Sequence, residues 1–419
     1  MLPSPPAVSP AVQRRITITL FVVQSIFGAA LIATFTLTSI VAARLSGFES
    51  LAGVPSTLVL GGRAFIGYPI GWVMDRYGRR PAFVIGYALG IVGMLISAWA
   101  ITRSSFWLFC AGAAVIGMGR GISEQTRYAA AEVYPPSQRA KVIGWLVFAG
   151  TIGSIGGPLL VPPSSGWVAS FGLDPQTGPF VLAAFLSCFA LALTFFFLRP
   201  DPLVIGRQMD DSQKTTHEIV PARPLGEIFA SNAIRLAVAS MVIGQLVMTS
   251  IMVITPLHMA HHNHGLQAVS LVLMAHTLGM FGLATVTGWL IDRLGRLSMI
   301  MIGGVTLAIA SLLTPASPSM FVLAFALFLL GLGWSFCFVA GSALFADSVA
   351  ANERGRAQGF SETLVAIASG AGSLGTGVAF QYGGIIMVSA IGLAFSLIFL
   401  AGALWSAQRQ PLMTAGESR

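Results

Sequence analysis

Gly71-Trp72-Val73-Met74-Asp75-Arg76-Tyr77-Gly78-Arg79-Arg80 returns later in the chain as Gly288-Trp289-Leu290-Ile291-Asp292-Arg293-Leu294-Gly295-Arg296, with Asp292 following Asp75 by 217 residues. A second pair of segments agrees: Glu132 with Arg139 and Gly144 is matched by Asp347 with Arg354 and Gly359, each displaced by 215 residues. Two independent loops repeating at nearly the same offset mark an internal duplication, and the order of a whole fold follows from such a repeat.

What flanks these loops is apolar. Hydrophobic types make up 55% of the 419 residues and Asp, Glu, Lys and Arg only 9%, with a mean hydropathy of +0.82; a soluble domain carries about 25% charged residues. Runs such as 82–101 and 385–405 hold roughly 20 residues almost free of charge, enough at 1.5 Å rise to cross a hydrocarbon core of about 30 Å. The pattern predicts twelve spans near 16–43, 52–74, 82–101, 106–131, 140–161, 178–198, 229–258, 266–290, 297–314, 319–346, 356–380 and 384–406. Helices are expected, because lipid offers no partners for unpaired backbone groups and barrel strands would alternate. The expected fold class is an all-α integral membrane protein of twelve transmembrane helices in two six-helix pseudo-symmetric halves. The halves are 16–198 and 229–406, with a cytoplasmic tail 1–15, a linker 199–228 containing Asp210, Asp211 and Pro221, and a cytoplasmic tail 407–419.

The first span follows Arg14 and Arg15 but is too long for a signal peptide and lacks an Ala-x-Ala exit, so it is expected to stay in the mature protein. Cys110, Cys188 and Cys337 fall inside predicted spans, where packing is the expected role. The net charge of +8 is distributed by topology rather than as a nucleic-acid patch. With the N-terminus inside, seventeen Lys and Arg lie in cytoplasmic segments and only Arg44 and Arg103 in outer loops; Arg63, Arg120, Arg127 and Arg235 lie within or at the edge of spans. Both termini are therefore expected in the cytoplasm, in the cell's inner (plasma) membrane.

The Gly-x-x-x-Asp-Arg-x-Gly-Arg-Arg loop, in a chain of twelve spans, resembles the major facilitator superfamily, and the likeness covers essentially the whole sequence. The resemblance implies halves built from nested inverted repeats, a substrate site near the bilayer midplane, and alternating access by rocking. No nucleotide loop, metalloprotease helix or nucleophile elbow is found in a fitting context, so an enzyme, and a cofactor, are not expected. The loop chemistry is that of a cytoplasmic gate. Gly71 admits close helix approach, Asp75 complements a helix N-terminus, and Arg79 or Arg80 reaches a carboxylate such as Glu132. Arg76, Gly78 and Arg139 complete this set. Gly288, Asp292, Arg293, Gly295, Arg296, Asp347 and Arg354 form its mirror. The plainer alternative is that these charges only anchor topology. In span five, Gly153, Gly157 and Pro158 resemble part of the signature of drug:proton antiporters, with Val161 and Pro162 in place of its last two glycines; helix packing explains them equally well.

Ionisable groups at membrane depth cost roughly 2.5–3.5 kcal/mol on insertion scales, so each is a functional candidate. Arg120, Glu124 and Arg127 share one face of span four at i, i+4 and i+7. Glu124 is a candidate carrier of the coupling proton beside Arg120, and a static ion pair is the alternative. Arg63, in span two, is expected either to pair with Glu362 of span eleven or to hold an anionic substrate. Gln24 and Gln245 are the polar amides of spans one and seven. His258, His261, His262 and His264 cluster near the outer end of span seven, with a spacing open to divalent metal, to external pH sensing, or to no role beyond a polar loop. His276, inside span eight, is a candidate proton relay or substrate contact.

These readings converge on a secondary transporter of a small organic solute, acting as a monomer and with proton-coupled export preferred. Uptake of an organic anion, or of a metal or metal chelate, is the runner-up, and a non-transporting membrane sensor is the reading from another class.

Overall fold

The computed structural model describes residues 9–211, 223–349 and 353–409. It divides into two compact units, Met1–Glu218 with Pro256–Thr277, and Ile219–Thr255 with Leu278–Arg419.

In the first unit the helices are α1 (Pro10–Ser46), α2 (Val54–Tyr77), α3 (Arg79–Thr102), α4 (Phe106–Ser123), α5 (Thr126–Glu132), α6 (Pro136–Leu159), α7 (Val161–Ala169), α8 (Gly178–Phe197) and α9 (Pro202–Asp211). The second unit opens with α10 (Leu225–Ile228) and α11 (Asn232–His261), whose last turns belong with the first unit, as does α12 (Leu266–Thr277). It continues through a π turn at Leu278–Gly282, α13 (Ala284–Leu294), α14 (Arg296–Leu313), α15 (Met320–Ser348) and α16 (Arg354–Arg409).

Among the described residues, eight helices are long and apolar enough to cross a membrane, and a ninth span arises if the pair bent by 47° around the π turn counts as one. The stretch α16 supplies two expected spans, because Gly383 and Gly384 leave helical geometry, Gly384 with φ of +58°, at the predicted boundary between them. α2 and α6, at 24 residues each, are also long enough. Span four is interrupted as well: α4 stops at Ser123, and Glu124 and Gln125 precede α5.

The packing is that of a membrane protein. The α8 window has a mean hydropathy of 2.5 yet only a third of it is buried, and Phe185, Phe189 and Phe196 stand exposed along it. A helix that is apolar all round, with large side chains left uncovered, is covered by lipid. Inside the first unit, Phe27 meets Tyr87 edge-on at 4.9 Å within a core that also holds Leu20, Phe83 and Met94. The core of the second unit includes Ile234, Met241 and Phe345.

Gly78 and Gly295 sit at the same repeat position with φ of +105° and +86°, separating α2 from α3 and α13 from α14. That left-handed geometry favours glycine, and it lets each loop reverse the chain without a connecting segment.

Candidate functional site

The repeat loop of the first unit is closed by charge. Arg79, the first residue of α3, donates from Nε to Glu132 Oε2 at 3.0 Å and from Nη2 to Oε1 at 2.6 Å, a parallel fork. Its Nη1 lies 3.2 Å from Asp75 Oδ1, one turn earlier and largely exposed. The N-terminus of α3 is capped by Asp201, which sequence reasoning missed: Arg79 N donates to its Oδ1 at 3.0 Å and Arg80 N to its Oδ2 at 2.9 Å. Asp75 was expected to complement a helix N-terminus, but at α3 that position is taken by Asp201, which arrives from beyond α8. Arg80 instead donates to the Phe195 carbonyl and lies over the Phe195 ring.

The mirror in the second unit is simpler. Arg296 Nε meets Asp347 Oδ2 at 2.9 Å, while Asp292 is exposed with no partner among the described residues. Both loops stack arginine on tryptophan at i+4: Arg76 lies 5.4 Å from the Trp72 ring centroid and Arg293 lies 5.1 Å from that of Trp289. The side chains of Arg139 and Arg354 lie outside the described ones. A further pair, invisible in the repeat, joins Arg223 to Glu353, which is only 3% exposed: Arg223 N and Nε donate to Oε1 at 2.9 Å each, and Nη2 to Oε2 at 2.8 Å. Hydrogen bonding to Glu353, then its charge, raises the Arg223 guanidinium above its ordinary range.

Gly71 was expected to mediate close helix approach, but among the described residues a Cβ there would meet nothing within 4 Å, and the same holds for Gly288. The close approach lies two turns earlier. A Cβ on Gly62 would fall 2.0 Å from the Ala114 carbonyl oxygen, and one on Gly117 would fall 2.0 Å from that of Val59. α2 and α4 therefore touch backbone to backbone, and Arg63, next to Gly62, is delivered to the end of α4. There Arg63 Nε meets Glu124 Oε2 at 2.9 Å while Arg120 Nε donates to Glu124 Oε1 at 3.1 Å. One carboxylate thus bridges two guanidiniums. Arg63 was expected either to pair with Glu362 or to hold an anionic substrate; it pairs with Glu124, because the glycine contact fixes α2 against α4. Arg120 in the last turn complements the helix dipole, whereas Glu124 just beyond it opposes the dipole and is offset by the two arginines. Arg127 does not join this group, and its guanidinium lies 4.9 Å from the Tyr128 ring centroid.

Beside the triad is a cavity of about 140 Å³ within the first unit, lined by Gln24, Thr34, Thr38, Arg120, Ser123 and Glu124 among others. Gln24 is held by Thr126, whose hydroxyl donates to its Oε1 at 2.9 Å. Gly153 and Gly157 pack α6 on α1: Cβ atoms there would lie 2.4 Å from the Ser25 carbonyl oxygen and 2.7 Å from that of Ala29. Pro158 lies within the same helix. In the second unit, Trp334 Nε1 donates to Gln245 Oε1 at 2.8 Å.

The histidines do not converge. His261 Nε2 lies 3.1 Å from Glu49 Oε1, and His262 Nδ1 lies 3.0 Å from the His258 carbonyl oxygen, with the His258 and His262 rings edge to face. Among the described residues no three His, Cys, Asp or Glu side chains are grouped to hold a metal. His276 is fully buried and does not line this cavity.

A sequence model of the Major Facilitator Superfamily matches residues 16–265 and 237–417. The MFS-type transporter YdeG of Bacillus subtilis is 34% identical over 93% of this chain and 92% of its own length. The riboflavin transporter RfnT of Brucella anthropi is 30% identical over 84% of this chain and 85% of its own. Among solved structures, the nucleoside transporter NupG superposes with a TM-score of 0.71, covering 94% of this chain and 99% of that one, and the D-xylose-proton symporter with 0.70, covering 92% and 97%. At 15% and 16% identity those two likenesses establish the fold. With its all-helical architecture, its duplicated Gly-Trp-x-x-Asp-Arg loops and these matches, the chain belongs to the Major Facilitator Superfamily and is a multi-pass membrane transporter.

Proposed function

We propose that the protein is a proton-coupled secondary transporter that exports a small organic solute by alternating access, as a monomer in the inner (plasma) membrane with both termini in the cytoplasm. The observation that carries this is the Arg63–Glu124–Arg120 bridge beside the cavity. A solute bearing an acidic or strongly hydrogen-bonding group competes with Glu124 for one guanidinium. Glu124 is the proposed carrier of the proton that is exchanged for the solute. Solute and proton are thereby linked at one side chain. Arg79, Glu132 and Asp75 lock one state from the repeat loop, with Arg296 and Asp347 as the counterpart. Export is favoured over uptake by the glycine-proline likeness in α6 to drug:proton antiporters.

The first solute to test is riboflavin, on the likeness to the riboflavin transporter RfnT. In proteoliposomes an imposed pH gradient should drive its movement in the wild type. Glu124→Gln should abolish gradient-driven movement while keeping solute exchange. Unimpaired gradient-driven transport in Glu124→Gln would remove Glu124 as the coupling group.

A further inference from the structure

Trp334 and Phe338 follow Arg120 and Glu124 by 214 residues each, so the second unit carries aromatic rings where the first carries the ion bridge. The two rings stack at 4.9 Å with an interplanar angle of 17°. Phe281 meets Trp334 edge-on at 5.8 Å and 75°. Phe281 comes from the π turn, and its placement depends on Gly279, where a Cβ would lie 2.2 Å from the Phe328 carbonyl oxygen. Only glycine lets that turn lie against α15. Single π turns inside helices are frequent at functional sites.

Behind the rings is a polar support. Gln245 Oε1 accepts from Trp334 Nε1, and Gln245 Nε2 donates to Thr249 Oγ1 at 3.1 Å and to Ser369 Oγ at 3.2 Å. The amide is fully occupied in fixing the indole and has no donor left for a ligand. Thr249 and Ser369 are buried, whereas Phe281, Trp334 and Phe338 are only half-buried, so the support is sealed and the rings are not. Trp334 stands fourteen residues from each end of α15, at mid-depth, whereas tryptophan in membrane proteins concentrates at the interfaces. An interfacial anchor does not explain it.

We propose that Phe281, Trp334 and Phe338 form a stacking platform for a planar conjugated ring of the transported solute, with Gln245 as the residue that positions the indole. The proposal rests on the reading of the chain as an organic-solute transporter, and it adds a substrate class: fused aromatic or heteroaromatic molecules rather than saturated ones of equal size and charge. Aromatic pairs prefer offset-stacked or edge-on geometry and contribute beyond the area they bury. A flat ring extending this stack gains that contribution, and a saturated ring does not.

The test is equilibrium binding to the full-length protein in lipid nanodiscs of three probes: 2-naphthoate, decalin-2-carboxylate as its saturated counterpart, and the uncharged 2-naphthalenemethanol. The wild type should bind 2-naphthoate roughly five- to tenfold more tightly than decalin-2-carboxylate. Trp334→Leu should erase that preference by weakening 2-naphthoate more than decalin-2-carboxylate, Trp334→Phe should keep most of it, and Gln245→Met should reduce the ratio. Equal affinity for the two carboxylates in the wild type, or an undiminished ratio in a folded Trp334→Leu variant, overturns the platform, as does a failure of all three probes to bind. If only 2-naphthalenemethanol binds, in a Trp334-dependent way, the platform stands and the reading of the solute as acidic is the one that fails.

Discussion

Arg79 grips Glu132 through two parallel hydrogen bonds, and both side chains are mostly covered, at 17% and 26% exposure. The same arginine reaches Asp75, but that carboxylate is 76% exposed. A covered, forked pair is worth far more than an exposed ion pair, whose contribution is typically under about 1 kcal/mol. Glu132→Gln should therefore lower the transport rate roughly tenfold, from the loss of about 1.5–3 kcal/mol of charge-assisted hydrogen bonding. Asp75→Asn should lower it less, with protein abundance near normal in both. Transport assays on matched amounts of reconstituted protein decide this, and equal effects would assign the gate to charge alone rather than to the fork.

The cap on α3 has a separate signature. Asp201→Ala removes the acceptor of two backbone N–H groups and should cost about 1 kcal/mol, the usual worth of a helix cap. Asp201→Asn should retain only part of it, because the amide keeps one oxygen acceptor and turns an NH2 donor toward the other N–H. A Cβ on Gly78 would lie 2.4 Å from Asp201 Oδ2 at a left-handed φ, so Gly78→Ala should destabilise more than Asp201→Ala. Thermal melting of the three purified variants gives the order.

The duplicated loops, the apolar runs and the break between the last two spans were all readable from sequence, because each is local or periodic. The Trp72–Arg76 and Trp289–Arg293 stacks were also within reach, since both lie at i+4 inside the quoted motif. Asp201 with α3, and Arg223 with Glu353, were not: they close over 121–122 and 130 residues and belong to no repeat. Arg63 had Glu362 or an anionic substrate in prospect, and what brings it to Glu124 instead is backbone contact at Gly62 and Gly117. The signal for that contact was present as small residues at four-residue spacing, Gly117 and Gly121, facing α2.

Arg223 and Glu353 tie the end of the linker to the segment before α16, and Glu353 is nearly enclosed. Arg223→Ala withdraws the side-chain hydrogen bonds of a buried carboxylate, which is more damaging than trimming an exposed pair. The melting temperature should fall by several degrees, and Arg223→Lys, which keeps the charge but not the fork, should restore only part of it. A melting temperature unchanged in Arg223→Ala would show that the pair contributes nothing to stability.

Glycines supply the sharpest contrast, because motif and geometry rank them oppositely. Gly71 belongs to the repeated loop motif, yet a methyl group there meets nothing within 4 Å among the described residues; Gly117 lies outside that loop motif, yet its methyl group would overlap the Val59 carbonyl at 2.0 Å. Overlap with backbone cannot be relieved by a rotamer change, so Gly117→Ala must push α2 from α4 and pull Arg63 away from Glu124. Gly117→Ala should therefore lose both thermal stability and transport, and Gly62→Ala, whose methyl group would overlap the Ala114 carbonyl, should do the same. Gly71→Ala should fold and melt like the wild type, since the helix gains a better former at an open position. Melting and transport of the three variants, read together, separate the alternatives: a stable Gly117→Ala would deny the backbone contact that positions Arg63. A destabilised Gly71→Ala would restore the packing role that its motif implies.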